Sequence, residues 1–382
     1  MKKSELDLYW TIGFLVCLWL PLLESLLGFD PTPPPQENRT LAGAPEFEFT
    51  TEAVEKFPEV FEKYYDDHFG ARSFLIRWNN YFKYYCLGVS PNPEKVILGK
   101  EGFFFEGGME PLIRNLDPFS EDGLEDWAQW QEYRTNWLAE RGVKYLLVIV
   151  PEAWTIYPEL LPDSLNRVHE ESKTAQLVKY LQKNSKTPVL DLTATMLEEK
   201  GDRLLYRPLD PHWNQPAGFI ASGTVASYLK RWFPAIEPLK MEEMETRDFL
   251  AAGGYLNRAL SLPEDLLERH YRVLPASPEA VEVPSPLENE WKDLTTFGPG
   301  SLVEAYEKDA PELPSAIVFH DSFGNYLIPY LSENFRRVVW VRNVSFSPEA
   351  VRLEKPDLVI VETAERNIKP AQARPETDRD TL

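Results

Sequence analysis

Cysteine is almost missing from this chain: Cys17 falls in an apolar N-terminal run and Cys86 stands alone in the remainder. No disulfide can form within the body beyond that run. With no second thiol or histidine close by, Cys86 reads as a buried structural residue in the apolar stretch Tyr84-Tyr85-Cys86-Leu87. Basic charge is also scarce. With 40 Lys and Arg against 61 Asp and Glu, the formal net charge is -21, which argues against nucleic acid or another polyanion as partner. Neutral sugars and small acyl donors stay open. The chain lacks a phosphate loop, a dinucleotide fingerprint and zinc-ligand spacing, so neither a metal nor a cofactor is expected. The neighbours Asp66, Asp67 and His68 do not alter this, since consecutive helical residues do not face one ion.

What is present starts with a single long apolar run, at 8–23, behind Lys2 and Lys3. Crossing a bilayer takes roughly 20 residues, and the run reaches that length only if Glu24 and Ser25 sit near the far interface. No small-x-small cleavage site follows it, so residues 1–29 read as an uncleaved signal anchor, with a cleaved signal peptide as the competing reading. With the lysines on the cytoplasmic side, the remainder faces the periplasm or the cell exterior. Five prolines between 30 and 46 make that stretch an extended spacer.

The folded body is expected over 47–368. Between 51 and 85, Val54, Phe57, Phe61, Tyr64, Phe74, Trp78 and Tyr81 recur at helical spacing and predict two helices broken around Gly70. Val96, Ile97 and Leu98 face Phe103, Phe104 and Phe105 across Gly99-Lys100-Glu101-Gly102, which reads as a hairpin. Strands at 145–150, 189–192, 316–319, 338–341 and 358–361 then alternate with helices at 120–138, 170–183 and 216–232, after Ser322, and from Ser347-Pro348. That alternation predicts an α/β fold with a parallel sheet flanked by helices. Residues 241–313 are less regular and read as an insertion before the strand that leads to Ser322, with a helix around 263–270. Residues 369–382 are polar and read as a disordered tail.

Two short motifs carry chemistry. Asp210-Pro211-His212-Trp213-Asn214 holds a carboxylate two residues from an imidazole, and His320-Asp321-Ser322-Phe323-Gly324 follows an apolar strand. Together they contain the acid, base and hydroxyl of serine acyl transfer, in which the acid orients the imidazole and the imidazole takes the hydroxyl proton. Alternatives stand beside this. A surface Asp-x-His pair is common, a serine before a helix is an ordinary N-cap, and His320 lies close enough to Ser322 to serve as another base. Asp321 is expected to bond backbone groups in the turn. In a parallel sheet, ligands sit beyond the carboxyl ends of the strands, which is where Ser322 stands. His169 and His270, among charged residues, read as solvated.

With those residues quoted, the chain resembles the alginate O-acetyltransferase family, whose catalytic domain is SGNH-hydrolase-like. The resemblance runs over about 37–368. It includes Glu37-Asn38-Arg39, the 57–74 helix region, Leu98-Gly99-Lys100-Glu101-Gly102-Phe103-Phe104, Val150-Pro151, Tyr157-Pro158, both motifs above and Glu362-Thr363-Ala364-Glu365-Arg366. Asp-x-His precedes Ser here, the permuted order of that family. The resemblance implies Ser322 as nucleophile, His212 as base, Asp210 as orienting acid and an acetyl-enzyme intermediate. It also implies transfer to hydroxyls of an exported polysaccharide, with acetyl groups supplied by a multi-spanning membrane acyltransferase. Two departures stand out: no C-terminal carbohydrate-binding sandwich follows, and Glu152 stands where relatives often carry Lys. Sugar contacts are therefore expected from the cleft, with Trp154, Tyr157, Trp213, Tyr326 and Tyr330 as stacking candidates and Asn214 and Arg366 as polar ones. A carbohydrate acetylesterase with the same triad and a non-catalytic assembly protein of a polysaccharide secretion complex are the rival functions.

Overall fold

The computed structural model describes residues 3–28, 40–46, 50–165, 167–201, 203–287 and 303–369. Most of the proline-rich spacer and all but the first residue of the expected tail lie outside them. The chain divides into two compact units, one of Met1–Ile97 with Tyr255–Leu266 and the other of Leu98–Gly254 with Leu267–Leu382.

The first unit is helical. α1 spans Lys3–Leu27, and its stretch Asp7–Leu27 has a mean hydropathy of 1.8 with none of it buried, long and apolar enough to cross a membrane. α2 (Thr51–His68) starts where the Thr50 hydroxyl accepts from the Ala53 amide, and α3 covers Arg72–Tyr81. The break falls at Phe69, Gly70 and Ala71, where Ala71 has a φ of 62°. α3 runs on into a π-turn, Phe82–Cys86, whose side chains are not buried. Cys86 is exposed, against the expectation of a core residue, because that turn carries it outward.

Where the chain passes from the first unit to the second, the expected strands appear as β1 (Val96–Leu98) and β2 (Phe104–Glu106), with the Gly99 amide donating to the Phe103 carbonyl at 2.7 Å. The main sheet uses β3 (Lys144–Val150), β4 (Val189–Asp191), β7 (Val281–Val283), β8 (Val303–Glu307), β9 (Ser315–Phe319), β10 (Arg337–Val341) and β11 (Leu358–Ala364), in the order β4-β3-β11-β9-β10-β8-β7. The first five in that order are parallel; β8 and β7 close one edge antiparallel. Every residue of β11 and β9 and six of seven in β3 are buried, the mark of strands covered on both faces.

One face packs Leu147, Ile149, Val359, Val361, Ile317 and Phe319 against Trp137, Leu138, Leu177 and Val351. These come from the helices α4 (Glu121–Ala139), α5 (Lys173–Asn184) and, later in the chain, α7 (Pro348–Glu354). Each fully buried side chain of this kind contributes roughly 1.5–3 kcal/mol. The helix starts follow from sequence: Ser120, Ser172 and Ser347 each accept from a backbone amide three residues on. α6 (Gln215–Leu229) is capped by Asn214 and has Pro216 in its first turn.

Three stretches differ from the sequence reading. The stretch after Ser322 is a 3-10 turn (Gly324–Tyr326) followed by one helical turn (Ile328–Leu331), because Pro329 brings no amide to a continuous helix. Residues 263–270 lead into a strand, β6 (Leu267–Pro275), paired antiparallel with β5 (Met244–Ala252) over nine residues. Cross-strand pairing overrides the local helical pattern there. Residues 281–283 and 303–307, inside the stretch read as irregular, form two strands of the main sheet.

Candidate active site

Three adjacent parallel strands, β3, β11 and β9, deliver polar residues to their carboxyl ends. After β9 the chain turns sharply at His320, Asp321 and Ser322, and the carboxylate of Asp321 organises the turn. Its Oδ1 accepts from the Phe323 amide at 2.9 Å, and its Oδ2 accepts from the Ala364 amide and the Asn367 side chain, both at 2.7 Å. The Asp321 amide donates to Glu362 on β11 at 3.1 Å. Ser322 is thus fixed by bonds on both sides of it. Gly324 is required by close approach, since a Cβ there would overlap the His320 ring.

The second motif sits on a small loop closed by the Tyr206–Trp213 bridge, with the Arg207 amide donating to the His212 carbonyl and the Asn214 amide to the Leu205 carbonyl. Within it, Asp210 Oδ1 lies 2.6 Å from His212 Nδ1 and also accepts the His212 amide at 3.1 Å. His212 Nε2 is 2.7 Å from Ser322 Oγ. The fully buried Trp213 ties the two motifs together, its Nε1 donating to the Phe323 carbonyl at 3.0 Å. The structure therefore brings Asp210, His212 and Ser322 into one hydrogen-bonded line, although 110 residues separate His212 from Ser322.

Asp210 is buried and its other oxygen faces Arg207 at 3.3 Å. Arg207 in turn bonds Glu268 through Nε at 3.0 Å and Nη2 at 2.5 Å, while Glu268 also accepts the Leu209 amide at 2.8 Å. Burial opposes the Arg207 charge, but Asp210 and Glu268 outweigh it and leave its pKa raised. Gly254 closes in on Asp210 so tightly that a Cβ would collide with the carboxylate. None of Arg207, Glu268 or Gly254 was singled out as a site residue from sequence.

A further group lies behind the Ser322 turn. Glu362, fully buried, has a pKa well above the ordinary carboxylate range because of burial, and its Oε1 has no hydrogen-bond partner. Glu365, also buried, accepts from the Glu152 amide and the Thr155 hydroxyl, and burial pushes its pKa up to about 7. Glu152 pairs with Arg366 through Nε and Nη2, and Arg366 reaches Glu106 at 2.5 Å. The Arg366 guanidinium lies over the rings of Phe323 and Trp154. Arg366 thus packs against the ring of Phe323 in the turn and is held by two carboxylates. Glu152 supplies its counter-charge.

Several sugar-contact candidates are corrected by burial. Trp154, Tyr157, Trp213 and Tyr330 have at most 3% of their surface exposed and are core residues, with no ring face open to stack on a sugar. The Asn214 amide accepts from the Ala217 amide and donates to the Leu204 carbonyl, so it caps α6, and the residue also lines the cleft that holds Tyr326. Tyr326 alone among the aromatic candidates lines a cleft, of about 310 Å³, with Arg207, Gln215, Phe249, Arg269, His270 and Arg272. His270 belongs to that wall and stacks on Phe249 rather than standing in open solvent. The Tyr326 ring is 6.2 Å from the His212 ring, so the cleft adjoins the hydrogen-bonded line. Despite the net charge of the chain, Arg269 and Arg272 make this wall locally cationic. His320 is excluded as a base. It is buried edge-on to Trp340, its Nδ1 donates to the Asp321 carbonyl, and burial lowers its pKa to about 4.

The family described as SGNH hydrolase-like domain, acetyltransferase AlgX, matches residues 96–286, half of the chain. That span holds Asp210 and His212 and ends before Ser322. A search of curated proteins gives no match. Among solved structures, Bacillus cereus PatB1 aligns with a TM-score of 0.53 at 11% identity, over 71% of this chain and 96% of that one. PatB1 with a sulfonyl adduct aligns over the same shares at 11% identity, with a TM-score of 0.52. The O-acetyltransferase domain of Pseudomonas putida AlgJ aligns at 16% identity over 74% of this chain and 96% of its own, with a TM-score of 0.47. At such identities the likeness is one of fold.

Proposed function

This chain belongs to the AlgX-type SGNH hydrolase-like acetyltransferase family, and on that premise we propose that it moves an acetyl group through Ser322 to hydroxyls of an exported polysaccharide. The observation that carries the proposal is the line Asp210–His212–Ser322, with contacts of 2.6 and 2.7 Å. In the first half-reaction His212 Nε2 takes the Ser322 proton as Oγ attacks the acetyl carbonyl. The tetrahedral intermediate collapses to acetyl-Ser322 and the donor's leaving group departs with the proton from His212. In the second half-reaction His212 takes the proton of a sugar hydroxyl, the sugar oxygen attacks the acetyl carbonyl, and Ser322 leaves with the proton returned to it. Asp210 holds the imidazole with Nδ1 protonated and balances the charge that forms on it. The Phe323 amide is already donated to Asp321 and holds the turn. We assign the Ser322 amide as the donor to the oxyanion.

The cleft beside His212 is the place for the acceptor, with Tyr326 flanking it and Arg269 and Arg272 suited to a sugar that carries acidic groups. α1 is read as an anchor in the inner membrane with the remainder in the periplasm or outside the cell, next to a multi-spanning acyltransferase that supplies acetyl groups.

Incubation with an activated acetyl ester, followed by peptide mass spectrometry, should place one acetyl group on Ser322 and none on the Ser322→Ala protein. A sulfonyl fluoride should block the same residue, in line with the adduct described for PatB1. Ester turnover that ignores added oligosaccharide and releases only acetate would favour an acetylesterase. Polymer acetylation that survives Ser322→Ala would leave the chain a non-catalytic assembly protein.

A further inference from the structure

The first unit has a feature that acetyl transfer does not use: an apolar face on α3 left uncovered. Phe74, Trp78, Tyr81 and Tyr85 follow one another at spacings of four, three and four residues, and their rings approach at 6.0, 5.2 and 4.6 Å. They stay 43%, 48%, 38% and 52% exposed, and Leu75 and Phe82 beside them are exposed as well. α2 carries a second exposed aromatic row, in which Phe61 and Tyr65 stack at 6.2 Å. Another side of α3 is occupied: Arg77 donates to the Leu262 carbonyl and Asn80 to that of Leu260.

The depth of this face is set by α1. The Ser25 hydroxyl accepts the Gly70 amide and the Glu24 carboxylate accepts the Ala71 amide, both at 3.0 Å. Gly70 is pressed so close to the Pro21 carbonyl and the Ser25 amide that no side chain fits between them. The 21 residues of Asp7–Leu27 make a helix about 31 Å long, matching a hydrocarbon core of about 30 Å. Glu24 and Ser25 then stand at the outer edge of that core, and the α2–α3 turn bonded to them stands at the same level.

We propose that the aromatic face of α2 and α3 lies in the interfacial layer of the bilayer that α1 crosses, where Trp and Tyr rings with polar tips are favoured. This rests on reading α1 as a retained anchor. The face then works as a footing that fixes the tilt of the helical pair against the membrane surface, in addition to the single span.

The exposed Cys86, one residue past Tyr85, supplies the probe. Full-length Cys17→Ser protein with a nitroxide on Cys86 is reconstituted in phosphatidylcholine–phosphatidylglycerol vesicles without any other protein. A control carries its only label through Glu59→Cys, with Cys17→Ser and Cys86→Ser. Floated vesicles should show the label at 86 relaxed by oxygen several-fold more, relative to a water-soluble nickel chelate, than the label at 59. Protein that floats while both labels behave alike would overturn the membrane footing and leave the face for a protein partner. Protein that does not float would overturn the anchor reading, and the footing with it.

Discussion

On one side of Ser322, the buried carboxylate of Asp210 faces a histidine and an arginine; on the other, Glu362 and Glu365 are buried among backbone amides, a hydroxyl and further acids. The first carboxylate is paired with an imidazole and a guanidinium, which suits a group that must orient an imidazole and balance its charge. The second pair is pushed toward the neutral form by burial, which suits groups that hold a turn without placing bare charge behind it. One site thus uses the same functional group for two purposes, separated by what surrounds each.

The comparison breaks most visibly at Asp210. Asp210→Asn should lower acetyl-ester turnover about 10⁴-fold, as expected when an imidazole loses its orienting anion; steady-state kinetics with an intact melting transition checks it. Gly254→Ala attacks the same side without touching a titratable group. Its new Cβ displaces the Asp210 carboxylate, and a shift of that kind costs about 10²-fold in kcat. On the other side, Glu362→Leu removes the acceptor of the Asp321 amide and should lower kcat roughly 10-fold. Glu362→Gln, which keeps an acceptor and no charge, should restore most of it; equal losses in the two variants would mean that charge on Glu362 matters.

The smallest effect on turnover belongs to Glu365→Gln, where stability carries the signal. The folded pKa of about 7 lies above the ordinary 4.5, so between those values the native protein binds more protons than the unfolded chain. Stability contributed by this group is therefore full below about pH 4.5, falls as pH rises toward 7, and is flat beyond. The Gln variant should lack that decline. Denaturant unfolding at pH 5 and pH 8 should show wild type losing about 2–3 kcal/mol more than the variant.

How legible each side was in the sequence follows from distance along the chain. Asp210 and His212 are two residues apart and Ser322 follows an apolar strand, so local pattern and strand order were enough to nominate all three. Arg207 and Glu268 are 61 residues apart, and Glu268 lies on a strand read as a helix, so nothing local joined them. Glu362 and Glu365 follow directly from an apolar strand, where the resemblance quoted them as a motif and only packing shows what they hold. The aromatic candidates failed for a physical reason: a large ring near a site is more readily covered by core than left open, and only Tyr326 escaped that. Conversely, the apolar pattern of α2 and α3 predicted helices correctly but implied a core that the described residues do not provide.

Among the described strands, β11 comes last in the chain and yet sits in the middle of the sheet, between β3 and β9. The Asp210–His212 loop is synthesised long before it, and even Ser322 precedes it. Until residues up to Ala364 have been made and docked, the parallel core has a gap between β3 and β9, and Asp321 lacks the Glu362 and Ala364 contacts that fix its turn. Closure by a distant strand is slow relative to local pairing. The hydroxyl at Ser322 is therefore held in position only once nearly the entire described chain has folded, which ties the geometry of this turn to completion of the sheet.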